Sequence, residues 1–175
     1  EVSEFYRKII DTFYKPDILI NNAGVFPKAA KLDETDISLW DNTININLKS
    51  SFILSKLFAE HALDGSKIIN IASLGAFHIW KNRIPYNVSK AGLVQLTKAL
   101  ARELAPKIAV NSVSPGTIVI EDEEAVEPVS VKKSSIPYMD YGSIDDVFEA
   151  VYFFATCTNF ITGQNISVDG GFGLL

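Results

Sequence analysis

The stretch KIINIAS, residues 67–73, decides the fold. Its run Lys67-Ile68-Ile69-Asn70-Ile71-Ala72 is short and largely apolar with no alternation, the pattern of a strand covered on both faces in a parallel sheet. It delivers Ser73 at its carboxyl end, the edge at which open α/β sheets place ligands. Residues 74–84 read as a loop containing Gly75, and PYNVSK at 85–90 then opens the most regular helical pattern in the chain. Leu93, Leu96, Leu100 and Leu104 are its apolar positions, and it runs to about Ala105. Tyr86 and Lys90 are four apart, so on a helix they project from one face, a turn apart. A phenol is a poor base at neutral pH because its ordinary pKa is about 10. A fixed ammonium nearby favours the phenolate and pulls that value down, which makes the pair an acid/base device. Alone it carries little weight, since Tyr and Lys four apart on a helix face is a common accident.

Working outward, the same alternation of helix and strand fills the chain. Val2, Phe5, Ile9, Ile10, Phe13 and Tyr14 fall at helical spacing over residues 3–14, and Pro16-Asp17 breaks that helix. Ile18-Leu19-Ile20 reads as another strand buried on both faces, ending in Asn21-Asn22-Ala23-Gly24, where the chain turns and a ligand can approach backbone. Thr35 or Asp36 caps the next helix, continued by Leu39, Trp40, Ile44, Leu48, Phe52, Leu57 and Phe58. Asn45 and Asn47 interrupt its apolar pattern, and an amide is a poor interior helix residue. One of them is expected to face a buried polar partner, and Asn47 has the better register against Leu48 and Phe52.

Downstream, Ile108 to Val113 is a further strand, closed by Ser114-Pro115-Gly116. Residues 121–140 are polar, acidic and without periodicity, as expected of a mobile lid or substrate loop. Ser143 caps a helix through Thr156, with Asp145 and Asp146 suiting its dipole. Gly163 turns into a last strand, Asn165 to Val168, before Asp169-Gly170-Gly171. Short apolar strands alternating with helices predict an α/β fold, a doubly wound parallel sheet in a single domain.

Bulk composition excludes several functions. The 175 residues are 47% hydrophobic and 21% charged, an ordinary globular balance. A net charge of -5 with scattered lysines argues against a nucleic-acid surface. No apolar run approaches the roughly 20 residues of a membrane helix; Val151 to Cys157 is the nearest. Cys157 is the single cysteine, so no intrachain disulfide forms and a reducing, cytoplasmic compartment is expected. His61 and His78 lack metal-ligand spacing and read as structural, so no metal site is expected.

Six stretches together resemble the short-chain dehydrogenase/reductase family across almost the whole chain. They are Asn21-Asn22-Ala23-Gly24, the Trp40 to Asn47-Leu48 helix, Ile71-Ala72-Ser73, Tyr86-x-x-x-Lys90, Ser114-Pro115-Gly116, and the terminal Thr162-Gly163-Gln164 with Val168-Asp169-Gly170-Gly171. Tyr86 follows Ser73 by 13 residues, the spacing that family favours. Singly, each has an ordinary structural reading: Ser73 as a strand-end hydroxyl, Asn47 as an amide pairing with a turn, Gly116 as a turn residue. In this order and spacing, the joint resemblance outweighs those readings.

The resemblance implies a Rossmann-like fold and an oxidoreductase interconverting a carbonyl and an alcohol with NAD or NADP. It implies that Tyr86 is the general acid or base, that Lys90 lowers the Tyr86 pKa and holds the nicotinamide ribose, and that Ser73 binds the substrate oxygen. Asn47 would fix a water linking Lys90 to solvent. Asn21, Ala23 and Gly24 would line the cofactor channel, with Tyr86 and Lys90, and Pro115, Gly116 and Ile118 would wrap the nicotinamide end. A homodimer or homotetramer is implied, through the 36–63 and 85–105 helices and a second contact at the last strand. Phe77, His78 and Trp80 are equally readable as a substrate-pocket lining and as a hydrophobic cap.

The chain also departs from the family. No Gly-x-x-x-Gly-x-Gly precedes Asn21, so residues 1–175 are expected to be one incomplete cofactor-binding and catalytic domain, the C-terminal part of the fold. Such a piece is expected to expose a sheet edge and to be inactive by itself. The rival reading is a catalytically dead truncated or proteolytic fragment that only self-associates. Ile120 stands where the family often has a Thr near the cofactor phosphate. Subclasses left open are a 3-oxoacyl-carrier-protein reductase, a sugar or polyol dehydrogenase and a pteridine reductase, the last suggested by the tight turn Ala105-Pro106-Lys107-Ile108.

Overall fold

The computed structural model describes residues 2–13, 15–120 and 131–174. Helix α1 (Val2–Phe13) precedes strand β1 (Ile18–Asn21). A long helix follows in three pieces: α2 (Ile37–Ile44), a π turn (Asn45–Lys49) and α3 (Ser50–His61). Then come β2 (Ser66–Ile71), α4 (Ile84–Leu104), β3 (Ile108–Pro115), α5 (Ile144–Thr156) and β4 (Asn165–Val168). The four strands of the described residues form one parallel sheet in the order β1-β2-β3-β4, in register at Ile20↔Ile69, Ile69↔Asn111 and Val113↔Ile166. Parallel pairing brings the carboxyl ends Asn21, Ile71, Pro115 and Val168 to a single edge of the sheet.

Side-chain alternation along the strands divides the core into two layers. Ile68 and Val110 pack with Phe58 and Ala101 beneath α1, α3 and α4. Ile69 and Val113 pack with Ala150 and Phe154 beneath α5. Helices therefore cover both faces, as a doubly wound sheet requires. Full burial of a ring such as Phe58 or Phe154 contributes roughly 1.5–3 kcal/mol to each layer.

β2 and β3 are buried on both faces as their apolar runs predict. β1 corrects the expectation made for it: Ile18 is 41% and Ile20 47% exposed. Among the described residues β1 pairs only with β2, and α5 lies over β2, β3 and β4, so none of these residues covers the α5-side face of β1. Only Leu19 and Asn21 turn into the α3/α4 layer.

Helix ends follow local chemistry. Ser143 opens α5 with a reciprocal capping box, its Oγ accepting from Asp146 N at 3.2 Å while Asp146 Oδ2 accepts from Ser143 N at 2.7 Å. Asp36 is the N-cap of α2 but makes no side-chain cap bond; Thr35 Oγ1 instead donates to Lys31 O at 2.7 Å. Of the expected 121–140 loop, residues 121–130 lie outside the described residues, as does Tyr14. Residues 131–140 carry a short turn at Lys133–Ser135 and a Lys133–Asp140 ion pair. The Ala105–Pro106 peptide is cis.

Candidate active site

Ser73, Tyr86, Lys90 and Asn47 are brought together beside the carboxyl edge of β2. Ser73 leaves the strand and caps the short turn Leu74–Ala76, its Oγ accepting from Gly75 N at 3.0 Å. Its hydroxyl faces the Tyr86 phenol and favours the ionised form of that phenol. Tyr86 sits in the first turn of α4, where Pro85 needs no hydrogen-bonded N–H. Phe26 packs edge-on against the Tyr86 ring at 4.7 Å and 86°. On Gly75, a Cβ would stand 2.9 Å from the Trp80 ring and 3.0 Å from Tyr86 Cε1, so only glycine leaves both rings in place.

One turn on, Lys90 is 6% exposed and its Nζ donates to Ile71 O at 2.8 Å. The ammonium is 6.0 Å from the Tyr86 ring centroid. Asn47 lies in the π turn, the kind of local helix widening that often occurs at functional sites. Its Oδ1 accepts from Val25 N at 2.8 Å, and its Nδ2 donates to Val25 O and to Ser89 Oγ, both at 3.0 Å. Ser89 Oγ in turn donates to Tyr86 O at 2.8 Å. A single amide thus ties the loop after β1 to the helix carrying Tyr86 and Lys90. Asn45, by contrast, is exposed.

The electrostatics correct one expectation. Burial raises the Tyr86 phenol above its ordinary value, opposed by the hydrogen bond to Ser73 and then by the charge of Arg83. Lys90 is not among the groups lowering it. Burial also pushes Lys90 itself down to about 8, because the ammonium is withdrawn from water. The Lys90 ammonium bonds the Ile71 carbonyl and stands beside the Tyr86 ring.

The remaining expected residues divide. Gly24 joins the cluster: a Cβ there would stand 3.3 Å from Asn47 Oδ1 and 3.5 Å from Lys90 Nζ. Ala23 is exposed beside it. Asn21 points its side chain inward, donating to Asn70 Oδ1 at 2.8 Å and Ser55 Oγ at 3.3 Å, so only its backbone faces the sheet edge. Pro115 and Gly116 end β3, with Gly116 N donating to Val168 O at 2.9 Å. Ile118 forms a bridge with Gly142. Arg83, Ser89 and Phe26 escaped the sequence reading because each acts through a neighbour distant in the chain or off the recognised motif.

Trp80 is held by Asn87, whose Nδ2 donates to Trp80 O at 2.8 Å, and its ring stacks on Phe172 at 6.0 Å. His78 contacts both rings. No cluster of three or more potential metal ligands occurs among the described residues. No described helix is long and apolar enough to cross a membrane.

Residues 1–173 match the family model described as enoyl-(acyl carrier protein) reductase. The 3-oxoacyl-[acyl-carrier-protein] reductase of Thermotoga maritima is 31% identical over 98% of this chain and 72% of that protein. The chain belongs to the short-chain dehydrogenase/reductase family. A solved short-chain dehydrogenase/reductase from Serratia marcescens superposes with a TM-score of 0.89 at 34% identity, over 98% of this chain and 71% of that one. A blue fluorescent protein from a metagenomic library, solved in complex with NADPH, gives 0.89 at 31% identity, over 98% and 70%. The family's members are NAD(P)-dependent oxidoreductases, and the cluster suits such a cofactor: Gly24 leaves open the space beside Lys90 Nζ and Asn47 Oδ1 that a Cβ would fill.

Proposed function

We propose that this chain carries the catalytic centre of an NAD(P)-dependent oxidoreductase that interconverts a small-molecule carbonyl and its alcohol. The observation carrying the reading is the convergence of Ser73, Tyr86, Lys90 and Asn47 at the carboxyl edge of the sheet. A substrate oxygen placed against both hydroxyls receives a hydrogen bond from Ser73 that steadies developing negative charge. Tyr86 gives that oxygen a proton in reduction and takes one from it in oxidation. Lys90 and the Gly24 backbone would hold the cofactor ribose side, with Asn21, Ala23, Pro115, Gly116 and Ile118 along the same edge. When bound, the nicotinamide supplies the hydride in reduction and accepts it in oxidation.

Asn47 supports the reading as a fixed amide between the Val25 backbone and Ser89, and in this reading it helps hold a water that links Lys90 to solvent. The reading leaves open an acyl-carrier-protein reductase, a sugar dehydrogenase or a pteridine reductase, and NAD or NADP. In the full-length protein, Tyr86→Phe is expected to lower NAD(P)H oxidation by about 10²–10⁴-fold while cofactor binding, followed by fluorescence titration, persists. Turnover equal to wild type in that variant would overturn the mechanism.

A further inference from the structure

Trp80 lies against the cluster and has no role in the reading above. Both polar groups of its backbone are fixed by one side chain: Asn87 Oδ1 accepts from Trp80 N at 3.4 Å, and Asn87 Nδ2 donates to Trp80 O at 2.8 Å. Asn87 follows Tyr86 on α4 and is only 5% exposed, so the indole is registered to the helix that carries the phenol. The edge of the indole meets the site at Gly75. The Cβ that glycine lacks there would stand 2.9 Å from both Trp80 Cδ1 and Nε1 and 3.0 Å from Tyr86 Cε1. The same Gly75 donates its N–H to Ser73 Oγ at 3.0 Å. Behind the indole, Phe172 stacks at 6.0 Å and 10°, and His78 contacts the two rings at 4.8 and 5.1 Å. All three rings are only half-buried, and the Trp80 indole N–H has no hydrogen-bond partner among the described residues.

We propose that Trp80 is a specificity-determining residue that selects substrates carrying an aromatic ring on the reacting carbonyl carbon. The inference rests on the oxidoreductase reading above and names the substrate class of that same site. A substrate oxygen held by the Ser73 and Tyr86 hydroxyls sets one substituent of its carbon over Gly75, where the indole edge lies. That edge carries positive partial charge, led by the N–H, and the face of an aromatic ring is negative, so the two attract edge to face. A saturated ring of the same size offers the N–H no acceptor and covers it without a partner. A polyol fares worse, because the wall gives only that N–H and the His78 imidazole in exchange for its water. The alternative is that Trp80 is a hydrophobic cap over the turn Leu74–Ala76. A cap would affect every substrate alike, whereas a substrate wall separates them.

The test uses the full-length protein and three β-keto esters: ethyl benzoylacetate, its cyclohexyl analogue and ethyl acetoacetate. They differ only in the group on the reacting carbon, which is phenyl, cyclohexyl or methyl. Wild type is expected to reduce the phenyl ester with a kcat/KM about tenfold or more above either of the others. Trp80→Leu is expected to erase most of that preference, chiefly through KM. Trp80→Phe keeps an aromatic edge without the N–H, and its preference is expected to fall between the two; it serves alone should Leu fail to fold. A wild type with no preference for phenyl, or a preference unchanged in a folded Trp80 variant, would overturn the proposal. Binding is read separately, with oxidised cofactor present, as quenching by ethyl benzoylacetate of the tryptophan emission that Trp80→Phe removes. Quenching without turnover of any ester would sink the oxidoreductase reading and leave the aromatic site standing. Turnover without preference or quenching would sink the aromatic site alone.

Discussion

Lys90 is where stability and the proposed chemistry oppose each other. Burial holds its ammonium at about 8, against 10.5 for the ordinary side chain. Between those values the unfolded chain binds more protons than the folded one, so stability rises with pH across that window. Below about pH 8 the penalty is fully present, and above the unfolded value it is gone. The difference, 10.5 less about 8, corresponds to about 3 kcal/mol at 1.36 kcal/mol per unit. Lys90→Met keeps the stem and removes the charge. It is expected to gain about 2–3 kcal/mol in urea unfolding at pH 7 without cofactor, a gain that shrinks as pH approaches 10.5, while hydride transfer is lost. A Lys90→Met protein less stable than wild type at pH 7 would mean that the bond to Ile71 O outweighs desolvation. The lysine was legible from its spacing to Tyr86. Its hydrogen bond to Ile71 O was not, because that depends on how the end of β2 lies against α4.

The helix from Ile37 to His61 shows how an element can be read correctly in outline and missed in its working part. Its apolar spacing fixed a helix, and an amide amid that spacing pointed to a buried partner, which Asn47 has in Val25 and Ser89. The π turn was not legible, because one extra residue per turn leaves residue types and local propensity unchanged. Ile18 and Ile20 are exposed in these 175 residues because α5 lies over β2, β3 and β4, a placement that three apolar residues do not reveal. β2, β3 and β4 were placed to within about two residues, since Gly and Pro punctuate them. Asn47→Ala tests the element's role in the site. It removes three hydrogen bonds and strands both polar groups of the Val25 backbone, so a loss of about 2–4 kcal/mol is expected in urea unfolding. Amide exchange at Val25 should accelerate by a larger factor than exchange in β3. Equal acceleration at both would mean that Asn47 supports the whole fold rather than the loop after β1.

At the scale of the whole molecule, the carboxyl edge gathers what the motifs scatter, and the outer helix faces carry what the sheet does not use. Phe52 on α3 is 49% exposed and Val88 on α4 is 44% exposed. We propose that these helices pair with a second copy across a two-fold axis, giving a homodimer, or a homotetramer with a further contact at β4. The side chains these faces offer to a second copy are apolar, so apolar area would drive the pairing. Phe52→Glu tests this against Leu32→Glu, a 76% exposed position in the turn Leu32–Glu34, away from both helices. Each variant puts a carboxylate where an apolar side chain already meets water, so the cost within one chain is small and matched. An unpaired charge buried between copies costs about 2–5 kcal/mol, enough to weaken association more than tenfold. Sedimentation velocity of the full-length protein is expected to show an oligomer for wild type and Leu32→Glu, and a shift toward monomer for Phe52→Glu. A wild type that sediments as a strict monomer would refute the pairing. An oligomer untouched by Phe52→Glu would move the interface to the opposite side, where Phe148 and Tyr152 stack on α5 beside exposed Phe153.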